Sequence, residues 1–253
     1  MPNLYGISTQ GVFVWGGGRS SDYGIVVSKA PVFDKPARKM TVFNVPGRNG
    51  SVLFQENAFE DVVRSYDVWI AEDAVEDSGG QISGTLAERV SAFTAWLNSV
   101  SGYQELTDDF EPEFYRLAYY SGGNEVGDEM LAYGESTLTF TCRPERFLVS
   151  GKTAVSVANG DTMTNPTRFA SKPLIHIEGS GVITVSVGGA TIGANVVDYI
   201  NIDCERMNAY REPTENMNDQ IAGTFPTIPS GDNVVTITGA ATLVEITPNY
   251  FTI

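Results

Sequence analysis

The chain has 253 residues, 42% of them hydrophobic, 19% charged and 11% aromatic, a composition that supports a buried core and lies away from the low-hydrophobicity, high-charge regime of disordered chains. Its 16 Lys+Arg stand against 31 Asp+Glu for a net charge of −15, so direct attachment to nucleic acid or to a membrane surface, each of which needs a basic or strongly amphipathic face, is not expected. At about 150 residues per domain, the length predicts one large domain or two medium ones.

No run approaches the roughly 20 apolar residues that cross a bilayer, and Met1-Pro2-Asn3-Leu4-Tyr5 lacks the basic start and apolar stretch of a signal peptide. Synthesis in the cytoplasm is the expectation. Gly16-Gly17-Gly18 lacks the Gly-Lys-Ser/Thr that completes a phosphate loop and reads as a flexible turn before Ile25-Val26-Val27. Arg38–Asn44 and Gly50–Gln55 read as strands of a hairpin joined through Pro46-Gly47-Arg48-Asn49-Gly50, because Asn-Gly accepts the positive φ of a tight turn. Ser65–Ala71 alternates with Tyr66, Val68 and Ile70 on one face, while Trp69 on the other suggests cover on both sides.

One segment breaks the β pattern. From Thr85 to Val100 the residues Leu86, Val90, Phe93, Trp96, Leu97 and Val100 recur at three- and four-residue steps, the stripe of a core-packed helix. Thr85 and Glu88 have the spacing of a capping box, and Gly102 stands where a left-handed C-terminal cap would follow.

Beyond the helix, Glu105, Asp108, Asp109, Glu111, Glu113, Glu125, Asp128, Glu129 and Glu135 crowd around one base, Arg116, and read as a solvated acidic loop. Ser136–Arg143 is a half-buried strand, with Leu138, Phe140 and Cys142 inward and Thr137, Thr139 and Thr141 outward, ending at Arg143-Pro144. After Gly151 helical periodicity disappears. Strands are predicted at Leu174–Ile177, Val182–Val187, Tyr199–Ile202, Val234–Thr238 and Thr242–Thr247, which reads as a β-sandwich. The predicted organisation is an α+β N-terminal domain over 1–150, a β-sheet with one main helix, and an all-β domain over 151–253.

Chemistry is sparse. The lone histidine, His176, sits in the apolar alternation Leu174-Ile175-His176-Ile177 and reads as structural, with no Gly-x-Ser-x-Gly elbow in the chain. Cys142 and Cys204 lie far apart in β runs, without zinc spacing or a disulfide framework, and read as buried free thiols. The acidic segment lacks the spacing of a calcium loop, and adjacent acids such as Asp108-Asp109 diverge in an extended loop rather than flank a sugar. No catalytic residue, metal or cofactor is expected.

Three stretches, taken in order, resemble the distal tail protein of long-tailed, non-contractile bacteriophages. The first is an early β segment and the turn Pro46-Gly47-Arg48-Asn49-Gly50, followed by strand, helix and strand. The second is a helix ending in Trp96-Leu97, then Gly102-Tyr103-Gln104-Glu105-Leu106, an acidic stretch, Phe114-Tyr115-Arg116-Leu117-Ala118 and the closing Thr139-Phe140-Thr141-Cys142-Arg143-Pro144. The third comprises Asn165-Pro166, Lys172-Pro173-Leu174-Ile175-His176-Ile177-Glu178-Gly179 and Phe225-Pro226-Thr227-Ile228-Pro229-Ser230-Gly231-Asp232-Asn233, which look like the family's galectin-like second domain, with the last turn one residue longer than usual.

The resemblance implies a structural virion protein, a homo-hexameric hub at the tail tip, single or stacked, that joins the tail tube protein to tail-fibre or receptor-binding proteins. Its first domains would form a ring around a channel that DNA only traverses, and its galectin-like β-sandwich domains would project outward. On that reading the Arg38–Gln55 hairpin, with Pro46, Gly47, Arg48, Asn49 and Gly50 at its turn, is the candidate ring interface. Asp108, Asp109 and Glu111 are the candidate channel-lining acids that repel passing DNA. The galectin-like likeness also implies an alternative, a lectin-like protein contacting host cell-wall glycans, for which Tyr199, Tyr210, Tyr250 and a few phenylalanines are the available rings beyond residue 151.

Overall fold

The structure, a computed structural model, describes residues 11–32, 35–70, 84–122 and 134–253. Among these the chain is mostly strand with one α-helix, and it divides into two compact units, Met1–Arg146 with Ile253, and Phe147–Thr252.

The first unit contains β1 (Phe13–Trp15), β2 (Gly18–Arg19), β3 (Ile25–Val27), β4 (Arg38–Phe43), β5 (Val52–Phe59), β6 (Val62–Ile70), α1 (Leu86–Ser99), β7 (Gln104–Asp108), β8 (Phe114–Tyr120) and β9 (Glu135–Leu148), the last running on into the second unit. Its main sheet has the order β2-β1-β7-β8-β9-β6-β3, and β4 and β5 pair with each other as a separate two-stranded sheet. Period-2 alternation turns Val62, Tyr66, Val68 and Ile70 of β6 and Leu138, Phe140 and Cys142 of β9 inward, and all but Val62 share one apolar cluster with Val90, Phe93 and Leu97 of α1. Trp69 is only half-buried, so the opposite face of β6 is not closed over.

The helix begins where the capping box predicts. Glu88 N–H donates to Thr85 Oγ1 at 3.3 Å and Thr85 N–H donates to Glu88 Oε2 at 2.8 Å, which satisfies two otherwise unpaired donors. Its end differs from expectation: Val100 turns extended (φ −92°, ψ 124°), and Gly102, although left-handed at φ 72°, lies too far along to cap the helix. Val100 packs against the core, and that burial draws the chain out of the last turn.

Gly16-Gly17-Gly18 is a tight β1–β2 turn rather than a flexible one. Gly16 and Gly17 sit at φ 56° and 83°, and a Cβ at Gly18 would lie 2.4 Å from Trp96 Nε1, so the bare backbone makes room for the helix. Strand β9 also departs from expectation by running through Pro144 to Leu148 instead of stopping at Arg143. Its pairing with β6 has already ended at Val62↔Cys142, so the proline removes no donor from that ladder.

The second unit contains β10 (Val155–Ser156), β11 (Thr162–Asn165), β12 (Leu174–Val187), β13 (Ala190–Asp203), β14 (Asn208–Tyr210), β15 (Ile221–Gly223), β16 (Gly231–Val234), β17 (Thr236–Thr247) and β18 (Phe251–Thr252). Strands β12 and β13 pair along their whole length, from Leu174↔Asp203 to Val187↔Ala190. The sheet order is β10-β17-β12-β13-β14, with β15 also on β13, and β11 pairs separately with β16.

Several predicted strands are halves of longer ones. Leu174–Ile177 and Val182–Val187 join into β12 because Glu178-Gly179-Ser180-Gly181 forms a register shift against β17 rather than a turn. A Cβ at Gly179 would lie 2.4 Å from the Ala240 carbonyl oxygen, so glycine there lets β17 approach. Tyr199–Ile202 is the end of β13, Thr242–Thr247 the end of β17, and Val234–Thr238 divides between β16 and β17. The core is aliphatic, built on Ile175, Ile177, Ile183, Val185, Ile200, Ile202 and Ile246.

Candidate functional site

Two features of the first unit stand out from ordinary core and surface. One is the β4–β5 hairpin. The register places Phe43 opposite Val52 and Thr41 opposite Phe54 on one face, and Val42 opposite Leu53 and Met40 opposite Gln55 on the other. All six apolar residues are exposed, Phe43 by 56% and Phe54 by 60%, so the ribbon is apolar on both faces. A lone two-stranded hairpin is marginal in water, and a contiguous exposed apolar patch marks a contact surface.

The turn residues Pro46, Gly47, Arg48, Asn49 and Gly50 lie exposed at the tip, with Arg48 N–H donating to the Val45 carbonyl at 3.2 Å and Ser51 Oγ donating to Asn44 Oδ1 at 2.7 Å. The apolar surface is carried by the flanking strands, not by the turn itself. Its signal in the sequence is that apolar residues occupy both parities of β4 and β5, whereas a half-buried strand alternates.

The second feature is a buried ion network. Arg64, on the inward face of β6 and only 2% exposed, places its guanidinium 2.7 Å from Asp108 Oδ2 and 3.2 Å from Glu111 Oε2. Glu111 also meets Arg116 at 3.3 Å and forms a short contact with Arg146, whose guanidinium lies over the Phe114 ring at 4.2 Å. Tyr66 Oη donates to Asp108 Oδ2 at 2.7 Å, and Asp108 Oδ1 accepts the backbone N–H groups of Phe110 and Glu111, each at 3.0 Å.

Burial opposes the Arg64 charge, yet the Tyr66 and Asp108 partners outweigh it and hold the guanidinium pKa above its ordinary value. Burial, with the adjacent Asp108 charge, pushes the Tyr66 hydroxyl well up. The arrangement binds chain segments together: β6, the β7–β8 connection and β9 all contribute a charge.

This corrects the reading of the acids as one solvated loop. The Asp108 and Glu111 side chains are 6% and 9% exposed and locked to arginines, because three guanidiniums converge on them inside the unit. Of the three candidate channel-lining acids only Asp109 is exposed, its Oδ2 accepting the Val12 N–H at 3.0 Å. Glu125, Asp128 and Glu129 lie outside the described residues.

Elsewhere, His176 and Tyr199 each have a polar partner. His176 Nδ1 is 2.8 Å from Asn201 Oδ1 and its ring packs 5.6 Å from that of Tyr199, whose hydroxyl donates to Glu212 at 2.6 Å. Tyr250 is in the core of the second unit. Both cysteines are buried and free, and among the described residues no group of three or more His, Cys, Asp or Glu side chains is placed to hold a metal.

No family model matches the sequence, and no curated protein matches it. The fold does have a solved counterpart. The chain is similar to the crystal structure of SPP1 Dit (gp 19.1), described as a paradigm of hub adsorption apparatus in Gram-positive infecting phages, with a TM-score of 0.68 and 14% identity over 96% of this chain and 99% of that one. At that identity the likeness is one of fold, and it falls on the same kind of tail protein that the Pro46–Gly50 turn, the Trp96-Leu97 helix and the closing strand resemble.

Proposed function

We propose that this chain is a structural, non-enzymatic virion protein: a hub at the distal end of a long, non-contractile phage tail, joining the tail tube to the receptor-binding or fibre proteins. The observation that carries the reading is the fold likeness to a hub adsorption protein along nearly the whole of both chains. On this reading six copies of the 1–150 region close a ring, and the 151–253 regions project outward as galectin-like β-sandwiches.

The two-faced β4–β5 ribbon suits such an assembly. A strand pair apolar on both sides needs cover on both sides, which neighbouring copies in a closed ring supply by strand addition and side-chain packing. A net charge of −15 per copy suits a channel that DNA traverses without sticking. Within that channel Asp109 is the one of the three named acids left to face DNA, since Asp108 and Glu111 are neutralised by arginine.

The test is the mass of the purified protein by light scattering, followed by electron microscopy. A hub gives an annular particle of six, or twice six, copies of 27.3 kDa. The double variant Phe43→Asp/Phe54→Asp loses that particle while keeping the wild-type circular dichroism spectrum. An annulus that survives both substitutions removes the hairpin from the interface. A wild-type monomer that stays monomeric even with tail tube protein added overturns the hub reading.

A further inference from the structure

The chain contains two Asn-Gly pairs, Asn49-Gly50 and Asn159-Gly160. Both asparagines are exposed, and both glycines have positive φ, 80° and 94°. They differ in restraint. Asn159 Oδ1 accepts the Ile237 N–H at 2.9 Å and Gly160 N–H donates to the Val235 carbonyl at 2.8 Å, so side chain and attacking nitrogen are both held. Among the described residues neither Asn49 nor Gly50 makes a hydrogen bond, and a Cβ at Gly50 would have nothing within 4 Å.

We propose that Asn49 is a site of spontaneous covalent modification, converting to aspartate and isoaspartate in the folded chain while Asn159 is spared. The Gly50 backbone nitrogen attacks Asn49 Cγ. The new N–Cγ bond forms as the Cγ–Nδ2 bond breaks, and the side-chain nitrogen leaves as ammonia, taking up the proton lost from the backbone amide. The resulting cyclic imide adds one water at either carbonyl. Opening at one carbonyl yields aspartate; opening at the other yields isoaspartate, in which the main chain runs through the side-chain carbon. No oxidant or cofactor enters the balance.

Three features favour reaction at Asn49. Glycine at the next position presents no side chain to obstruct ring closure. The exposed turn supplies water at both stages. The Gly50 N–H has no acceptor to give up, whereas Asn159 must first break two hydrogen bonds, which requires local opening of the β17 edge. The product places a new carboxylate beside Arg48, at the tip of the ribbon that the hub reading puts in an interface, but the reaction itself does not depend on that reading.

The experiment is peptide mapping of the full-length protein, incubated dilute and unassembled at neutral and mildly alkaline pH. Mass spectrometry follows replacement of amide nitrogen by oxygen at each asparagine, and isoaspartyl methyltransferase labels the rearranged product. Conversion at Asn49 is expected to exceed that at Asn159 by at least about tenfold, given two protecting hydrogen bonds at the latter. The methyl label is expected to vanish in Asn49→Gln and persist in Asn159→Gln. Equal rates at the two sites, faster conversion at Asn159, or a label that survives in Asn49→Gln overturns the proposal.

Discussion

The first unit builds its core from rings and a helix. Phe140 stands 5.5 Å from Phe13, 5.3 Å from Trp15, 6.0 Å from Tyr66 and 5.6 Å from Tyr120, and Trp15 donates its indole N–H to the Ala118 carbonyl at 3.0 Å. The second unit builds its core from isoleucine and valine on long paired strands. Its Arg211–Glu215 ion pair, at 2.6 Å, is partly exposed at the surface. The first unit instead buries the charges of Arg64, Asp108, Glu111 and Arg116 and leaves a two-faced apolar ribbon outside. The contrast is between charges turned in with an apolar ribbon left exposed and an aliphatic core with ion-paired residues at the surface.

The largest expected effect on this contrast comes from Arg64→Met. Removing the central guanidinium leaves Asp108 and Glu111 buried with fewer partners, a loss of about 3–5 kcal/mol for a broken buried pair. Hydrogen exchange should show lowered protection along β6 and β9 and unchanged protection along β12 and β13. Adding Asp108→Asn should recover part of the loss. If both units weaken equally, the network is not confined to the first.

Alkaline pH separates the units by a smaller margin. Burial pushes the Cys142 thiol up to about 11 and the Cys204 thiol up to about 12, against an ordinary 9.0. The unfolded chain gives up these protons near 9.0 while the folded chain keeps them. Their stabilising contribution is therefore fully present below pH 9.0, and is lost as pH rises, by about 11 for Cys142 and about 12 for Cys204. Denaturant titrations of wild type against Cys142→Ala and Cys204→Ala should give stability differences that level off in that order; pH-independent differences would contradict the assignment.

The smallest effect belongs to the helix cap. Thr85→Ala removes the acceptor for the Glu88 N–H and should lower stability by about 1 kcal/mol, with frayed exchange in the first turn of α1 and none in the second unit. Wild-type protection there would mean that core packing of Phe93 and Leu97, not capping, sets the start of the helix.

The helix was legible because its signals are local: an apolar stripe at helical spacing and a capping box three residues wide. The strands were legible as apolar runs, but not their lengths, since Gly179 and Gly181 read as a turn until β17 is seen lying against them. Arg64 went unnoticed as an inward residue because a charge among Val62, Tyr66, Val68 and Ile70 reads as a break in the pattern rather than as half of a pair. The hairpin was found through its turn, although its exposed apolar surface is on the strands.

By itself, then, the sequence determined the helix and its first turn, the inward faces of β6 and β9, the Asn-Gly hairpin, a β-rich second half, and one buried cysteine in each half. These follow from periodicity, capping and turn chemistry acting over a few residues. Only the tertiary structure decided that Asp108 and Glu111 are structural partners of Arg64, Arg116 and Arg146, and that β4 and β5 have no cover among the described residues. Strand pairing and charge burial depend on which distant segments meet; Arg64 and Asp108 are 44 residues apart in the chain, and no local pattern records that encounter.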